Sequence, residues 1–134
     1  AGMSIVFDVA VPVSQVPAFI EQASAAAAAQ ADWARASIVS HLGDGNVHFV
    51  LVFPRERWNA LADPAELLAR VRRCVYDIVA ALGGTWSAEH GIGRTLLKEM
   101  QRYKSATELA VMRAIKATLD PLGLFNPGKL LPPA

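Results

Sequence analysis

Cysteine is nearly absent from this chain: among 134 residues there is one, Cys74. A single thiol excludes an internal disulfide, so nothing in the cysteine usage points to an oxidising compartment. An excess of one charge sign is lacking too. Thirteen Lys and Arg stand against twelve Asp and Glu, for a formal net charge of +1 with both signs spread along the chain. That balance leaves no electrostatic footprint for nucleic acid. Long apolar runs are missing as well. None reaches the roughly 18 residues that would span a bilayer, and no basic segment leads into a secretory h-region at the N-terminus. These absences leave an expectation of a soluble, cytoplasmic protein with no membrane span. What is present is a globular composition, 53% hydrophobic and 19% charged. It is enough for one domain with a real core, taken as 1–134, and too short for two comfortable ones.

The element types alternate along the chain. The run "MSIVFDVAVPV" (3–13) alternates around β-branched and aromatic residues and reads as a strand ending at Pro12. Ser14 is offered as the N-cap of a helix carrying Val16, Phe19, Ile20 and Ala23 at helical spacing, followed by five alanines at 25–29. After a polar break comes "ASIVSHLGDGNVHFVLVFP", two strand-like runs joined by Gly-Asp-Gly-Asn. Asp63-Pro64 opens a helix with a stripe of Leu67, Val71, Cys74, Val75, Ile78 and Leu82, closed by Gly83-Gly84. "TWSAE" (85–89) reads as a short strand. Helices follow over about 94–103 and about 106–119, and 120–134 forms a tail punctuated by Pro and Gly.

The order β-α-β-β-α-β predicts an α+β fold, a ferredoxin-like split βαβ. It has an antiparallel sheet, helices on one face and a C-terminal helical extension. "FVLVF" looks apolar on both sides, so the open face of the sheet is expected to be covered by something else.

Two of the three histidines, His41 and His48, flank the turn in "SHLGDGNVH". A two-residue type I′ turn about Asp44-Gly45 would pair Gly43 with Asn46, Leu42 with Val47, and His41 with His48. Directly opposed residues share a face, with Cβ atoms about 4.5 to 5.5 Å apart, close enough to hold one ion. The other reading is two hydrogen-bonded histidines beside a turn, since no short-range zinc pattern has this spacing. The third histidine lies in "SAEHGIG" (87–93), where a strand becomes a helix and backbone N–H groups near 91–95 are free for an anionic group. Glu89 would complete a His-His-carboxylate set, and His90 has a side chain suited to general base work near neutral pH. Adjacent strand residues point to opposite faces, so both serve one site only if the chain bends, and Gly91 supplies the bend. A solvated Glu-His pair at a glycine-rich helix start is the plainer alternative.

"HLGDGNVH", "SAEHGIG" and "LDPLGLFNPGKLLP", in this order with helices between them, resemble the C-terminal half of the FAD-linked oxidase family acting on D-2-hydroxy acids. That family includes glycolate oxidase subunits, D-lactate dehydrogenases and D-2-hydroxyglutarate dehydrogenases. "FDVAVPVSQVPAFI" resembles the segment that precedes these motifs, so the likeness runs over nearly the whole chain. It implies a divalent metal, zinc or manganese, on His41, His48 and Glu89, and His90 as the base that takes the substrate hydroxyl proton. It further implies Asn46 beside the substrate, and Asn126 and Lys129 in a tail, 120–134, that approaches the flavin. Many members carry a lysine where this chain has Leu96. The implied partners are a small 2-hydroxy acid and an FAD-binding domain in the same or another chain. Without that domain the chain is expected to be inactive, and an exposed apolar face would favour a homodimer. The alternative is a non-catalytic ferredoxin-like ligand-binding or interaction module with a degraded site.

Overall fold

The computed structural model describes residues 2–41 and 43–133. They fall into two compact units, Ala1–Glu89 and His90–Ala134.

The first unit holds three strands and three helices. They are β1 (Gly2–Ala10), α1 (Val16–Gln30), β2 (Arg35–His41), β3 (Asn46–Pro54), α2 (Arg55–Asn59) and α3 (Pro64–Ala81). The strands form one antiparallel sheet in the order β1-β3-β2. The class is α+β, as the alternation of element types predicts.

Period-2 alternation explains the core. Ile5, Phe7 and Val9 of β1 lie opposite Leu51, Phe49 and Val47 of β3, and all six are buried. Phe19 of α1 meets the Phe49 ring edge-on at 5.9 Å between centroids, and Tyr76 of α3 does the same to Phe7 at 5.4 Å. Both helices therefore cover this face. On α3 the buried residues Leu67, Val71, Val75 and Val79 recur every fourth position, with Tyr76 beside them. Of the alanine run, Ala27 faces inward and most of the rest is exposed. Phe53 sits between two indoles, with Trp33 at 5.4 Å and Trp58 at 5.1 Å. The opposite face carries Val6, Val39 and Val52, all exposed in the unit.

One local expectation holds and two change. Asp63 does cap α3, its Oδ1 accepting the Glu66 N–H at 2.9 Å. Ser14, however, caps nothing: it lies in a 3₁₀ turn, Val13–Gln15, that precedes α1. The segment at 85–89 is not a full strand. Ala10 and Thr85 exchange both backbone hydrogen bonds, at 3.0 and 2.7 Å, and Ala88 N–H reaches the Asp8 carbonyl at 3.1 Å. This segment runs antiparallel to β1 on the edge away from β3, in the place a fourth ferredoxin-like strand takes.

The hairpin register also differs. His41 pairs with Asn46 and Val39 with His48, so the connection is four residues long. Asp44 Oδ1 accepts the Asn46 N–H at 2.9 Å, an Asx turn, and among the described residues of the connection Gly45 alone takes a positive φ. A type I′ turn needs positive φ at both central residues, which Asp44 does not adopt. Leu42, expected opposite Val47, lies outside the described residues.

The second unit contains α4 (Leu97–Tyr103) and α5 (Ala106–Leu119). The helix expected from about 94 starts only at Leu97, because 93–96 form turns with positive φ at Gly93. Helix α5 opens on a capping box: Ser105 Oγ accepts the Glu108 N–H at 3.2 Å and the Glu108 carboxylate accepts the Ser105 N–H at 2.9 Å. Asp120, where α5 ends, organises the tail. Its carboxylate takes the Lys116 ammonium and the backbone N–H groups of Leu124 and Phe125, the latter two at 2.9 Å each. Leu130 N–H then donates to the Gly93 carbonyl at 2.9 Å, tying the tail to the loop after His90.

Candidate functional site

The sheet face away from the helices gathers the polar residues. Direct pairing across β1, β3 and β2 lines up Asp8, His48 and Val39 in one row, and Ala10, Asn46 and His41 in the next. Opposed residues share a face. His41 and His48 are therefore diagonal neighbours on that face, and their rings meet edge-on with centroids 5.5 Å apart. The two-residue shift of register moves the histidines off direct opposition, yet an even shift leaves their face unchanged.

Why the chain presents them here is local. Gly45 at the hairpin tip has φ +78, and its carbonyl accepts the Val11 N–H at 3.1 Å. A Cβ at Gly45 would lie 2.0 Å from the Val11 carbonyl oxygen, so only glycine lets the tip close on the end of β1. The Ser40 hydroxyl donates to the Asn46 carbonyl at 2.9 Å and adds a second tie across the hairpin.

Glu89 is brought to the same place by Asp8. The Glu89 N–H donates to Asp8 Oδ2 at 2.9 Å, across 81 residues of sequence. His48 then stands between two carboxylates. Its Nε2 is 3.2 Å from Glu89 Oε1, and its Nδ1 is 3.7 Å from Asp8 Oδ1. Asp8 is 7% exposed, while Glu89 is open to solvent. His90, one peptide bond beyond Glu89, opens the second unit and is exposed, and the chain turns sharply at Gly91, φ +79.

Asn46 is 5% exposed, and its Oδ1 has no hydrogen-bond partner among the described residues. An unmet buried acceptor on this face is a group a ligand would satisfy. In the second unit Asn126 and Lys129 come together, with Lys129 Nζ 3.3 Å from Asn126 Oδ1. Asn126 has a positive φ of 47, and both side chains are exposed.

The donor set suits a divalent cation. His48 and Glu89 offer ligand atoms within 4.8 Å of each other, an imidazole and a carboxylate of the kind zinc and manganese accept, with Asp8 on the Nδ1 side of the His48 ring. His41 shares the face through its ring contact with His48 and stands outside that 4.8 Å group. Asp8 is the residue that sequence reasoning missed. Its signal was a lone carboxylate in the apolar alternation "SIVFDVAV", at a position facing away from Ile5, Phe7 and Val9.

The fold and this face define an α+β domain that carries a histidine–carboxylate constellation at one end of a half-open sheet. The family model for FAD linked oxidases, C-terminal domain, matches residues 1–130, and the chain belongs to that family. Over 126 residues, 92% of this chain, it is 34% identical to a D-2-hydroxyglutarate dehydrogenase of Stutzerimonas stutzeri, covering 26% of that protein. Over 98 residues, 73% of this chain, it is 36% identical to glycolate oxidase subunit GlcD of Escherichia coli (strain K12), covering 19% of it. Similarity extends to the mitochondrial D-lactate dehydrogenase [cytochrome] of Arabidopsis thaliana, 28% identical over 130 residues, 97% of this chain and 22% of that one. The chain thus spans about a quarter or less of the length of these relatives. Among the described residues no helix is long and apolar enough to cross a membrane.

Proposed function

We propose that this chain is the substrate-side domain of an FAD-dependent dehydrogenase that oxidises a D-2-hydroxy acid to the 2-oxo acid. The observation that carries the reading is His48 poised with Nε2 toward Glu89, on a face shared with His41 and the buried, unsatisfied Asn46. His41, His48 and Glu89 would hold a divalent metal, zinc or manganese. When bound, the metal supplies Lewis-acid polarisation of the substrate hydroxyl and the flavin supplies a hydride acceptor.

The chain's own residues have separate tasks in this reading. His90 takes the hydroxyl proton at an imidazole nitrogen as the Cα hydride departs. Asn46 meets a polar group of the substrate. Asn126 and Lys129 face the flavin, which an FAD-binding domain in the same or a partner chain holds. The exposed Val6, Val39 and Val52 face would be covered by a further part of such an assembly or by a second copy of this chain.

The test is anaerobic flavin reduction with this domain in the presence of its FAD-binding domain. D-lactate, glycolate and D-2-hydroxyglutarate are each offered and bleaching of the flavin is followed. The expected result is reduction by at least one of them, slowed at least about 100-fold by His90→Ala with little change in flavin content. Reduction at an undiminished rate in His90→Ala removes the base assignment, and no reduction by any 2-hydroxy acid removes the substrate class.

A further inference from the structure

We infer that Asp8 is a positioning residue that sets both His48 and Glu89 for metal binding, an inference that rests on the metal-site reading above. The two oxygens of its carboxylate do different work. Oδ2 accepts the Glu89 N–H at 2.9 Å, and the Asp8 carbonyl accepts the N–H of Ala88 at 3.1 Å, so one residue of β1 clamps the backbone on which Glu89 stands. Oδ1 faces His48 Nδ1 at 3.7 Å. With Asp8 on the Nδ1 side, the other ring nitrogen, Nε2, is the one turned to Glu89 at 3.2 Å.

The chemistry follows from imidazole having two nitrogens with opposite duties. A ring that coordinates a cation through one nitrogen keeps its proton on the other, and an acceptor at that second nitrogen fixes both the tautomer and the ring plane. Asp8 stands on the Nδ1 side and is acceptor-only when ionised. At 3.7 Å, longer than a hydrogen bond, it acts on the ring as a nearby negative group and favours Nδ1–H, which leaves the Nε2 lone pair for the cation beside Glu89. Its burial, 7% exposed, keeps this interaction from being screened as a surface pair would be. Asp8 is thereby distinct from the ligands: it arranges two of them from behind.

Asp8→Asn separates the two duties. The amide oxygen still accepts the Glu89 N–H, whereas the amide nitrogen can donate to His48 Nδ1 and drive the ring proton to Nε2, where it blocks the cation. Asp8→Ala removes both interactions. In the full chain, the readouts are zinc affinity by competition with a chromophoric chelator, ¹⁵N shifts of the His48 ring in metal-free protein, and hydrogen exchange of the Glu89 amide. For Asp8→Asn we expect zinc affinity to fall about 10- to 100-fold, the ring proton to move from Nδ1 toward Nε2, and Glu89 protection to persist. For Asp8→Ala the Glu89 amide should also lose protection. Unchanged ring shifts together with unchanged zinc affinity in Asp8→Asn overturn the inference. If the wild-type chain binds no zinc, the metal reading fails by itself. The ring shifts then decide the positioning role, a moved proton supporting it and an unmoved one overturning it.

Discussion

Replacing Gly45 with alanine tests how the fold presents its candidate site. The residue has φ +78, and a Cβ there would sit 2.0 Å from the Val11 carbonyl oxygen, a main-chain atom that cannot rotate away. An L-residue in the left-handed region costs about 1 kcal/mol. Disturbing the bond from Val11 N–H to the Gly45 carbonyl costs about 1 more. Shifting packed backbone to relieve the overlap adds about 1 or more, for a total of about 3 kcal/mol. For a domain of this size that corresponds to a fall in Tm of about 10 °C. Urea and thermal denaturation measure it, and Gly43→Ala is the internal control. Gly43 lies two residues away in the same turn, without positive φ and with nothing within 4 Å of the place a methyl group would take, so its replacement is expected to be near neutral. The Gly45 variant should also weaken zinc binding, because the tip that closes on Val11 is flanked by His41 and Asn46. A Gly45→Ala chain within about 0.5 kcal/mol of wild type, or indistinguishable from Gly43→Ala, would refute the reasoning.

Other outcomes follow from single interactions. Phe49→Ala should cost about 3 to 5 kcal/mol in urea unfolding, since the ring is fully buried between Phe7 and Phe19. Ser105→Ala should cost about 1 kcal/mol through loss of the capping box on α5. The Glu108 carboxyl is held down to about 2 by the Lys104 ammonium and then by the Ser105 N–H and hydroxyl. Because its folded value lies below the unfolded one, its contribution is complete above about pH 4.5 and lost as the pH falls through about 2. A carboxyl titration by NMR should show Glu108 rising toward the ordinary range in Lys104→Met; no rise would contradict the assigned cause. Burial pushes the Cys74 thiol up, so a thiol reagent at pH 8 should label it slowly until urea opens the domain.

Much of the fold was legible because burial imposes a period. The alternation of Ile5, Phe7 and Val9 and the four-residue recurrence along α3 follow directly from which face each element buries. The tail was legible only as punctuation. That Asp120 gathers Lys116, Leu124 and Phe125 depends on where α5 ends, and Lys116 in turn holds the Asp120 carboxyl below the usual carboxylate range. The hairpin register escaped because Gly-Asp-Gly-Asn suits more than one turn, and the choice fell to the Asp44 side chain taking the Asn46 N–H. The fourth strand shrank to one bridge, since the chain at Glu89 leaves the sheet edge for the turn at Gly91.

The candidate site divides in the same way. His48 and Glu89, named from sequence as ligands of one ion, do stand 3.2 Å apart, and His41 shares their face. Asp8 could not be found by spacing, because its partner Glu89 is 81 residues away and the bond runs through a backbone N–H that no residue identity reports. A strand position that faces away from the helices and bears a buried charge was the one available clue.

Zinc binding by the purified 134-residue chain tests the central claim most directly, read as metal per chain after equilibration with zinc and removal of the free ion. The account predicts one zinc per chain, lost in His48→Ala and in His41→Ala while the far-ultraviolet circular dichroism stays that of the wild type. Zinc absent from the wild type, or retained at full stoichiometry in His48→Ala, would contradict it.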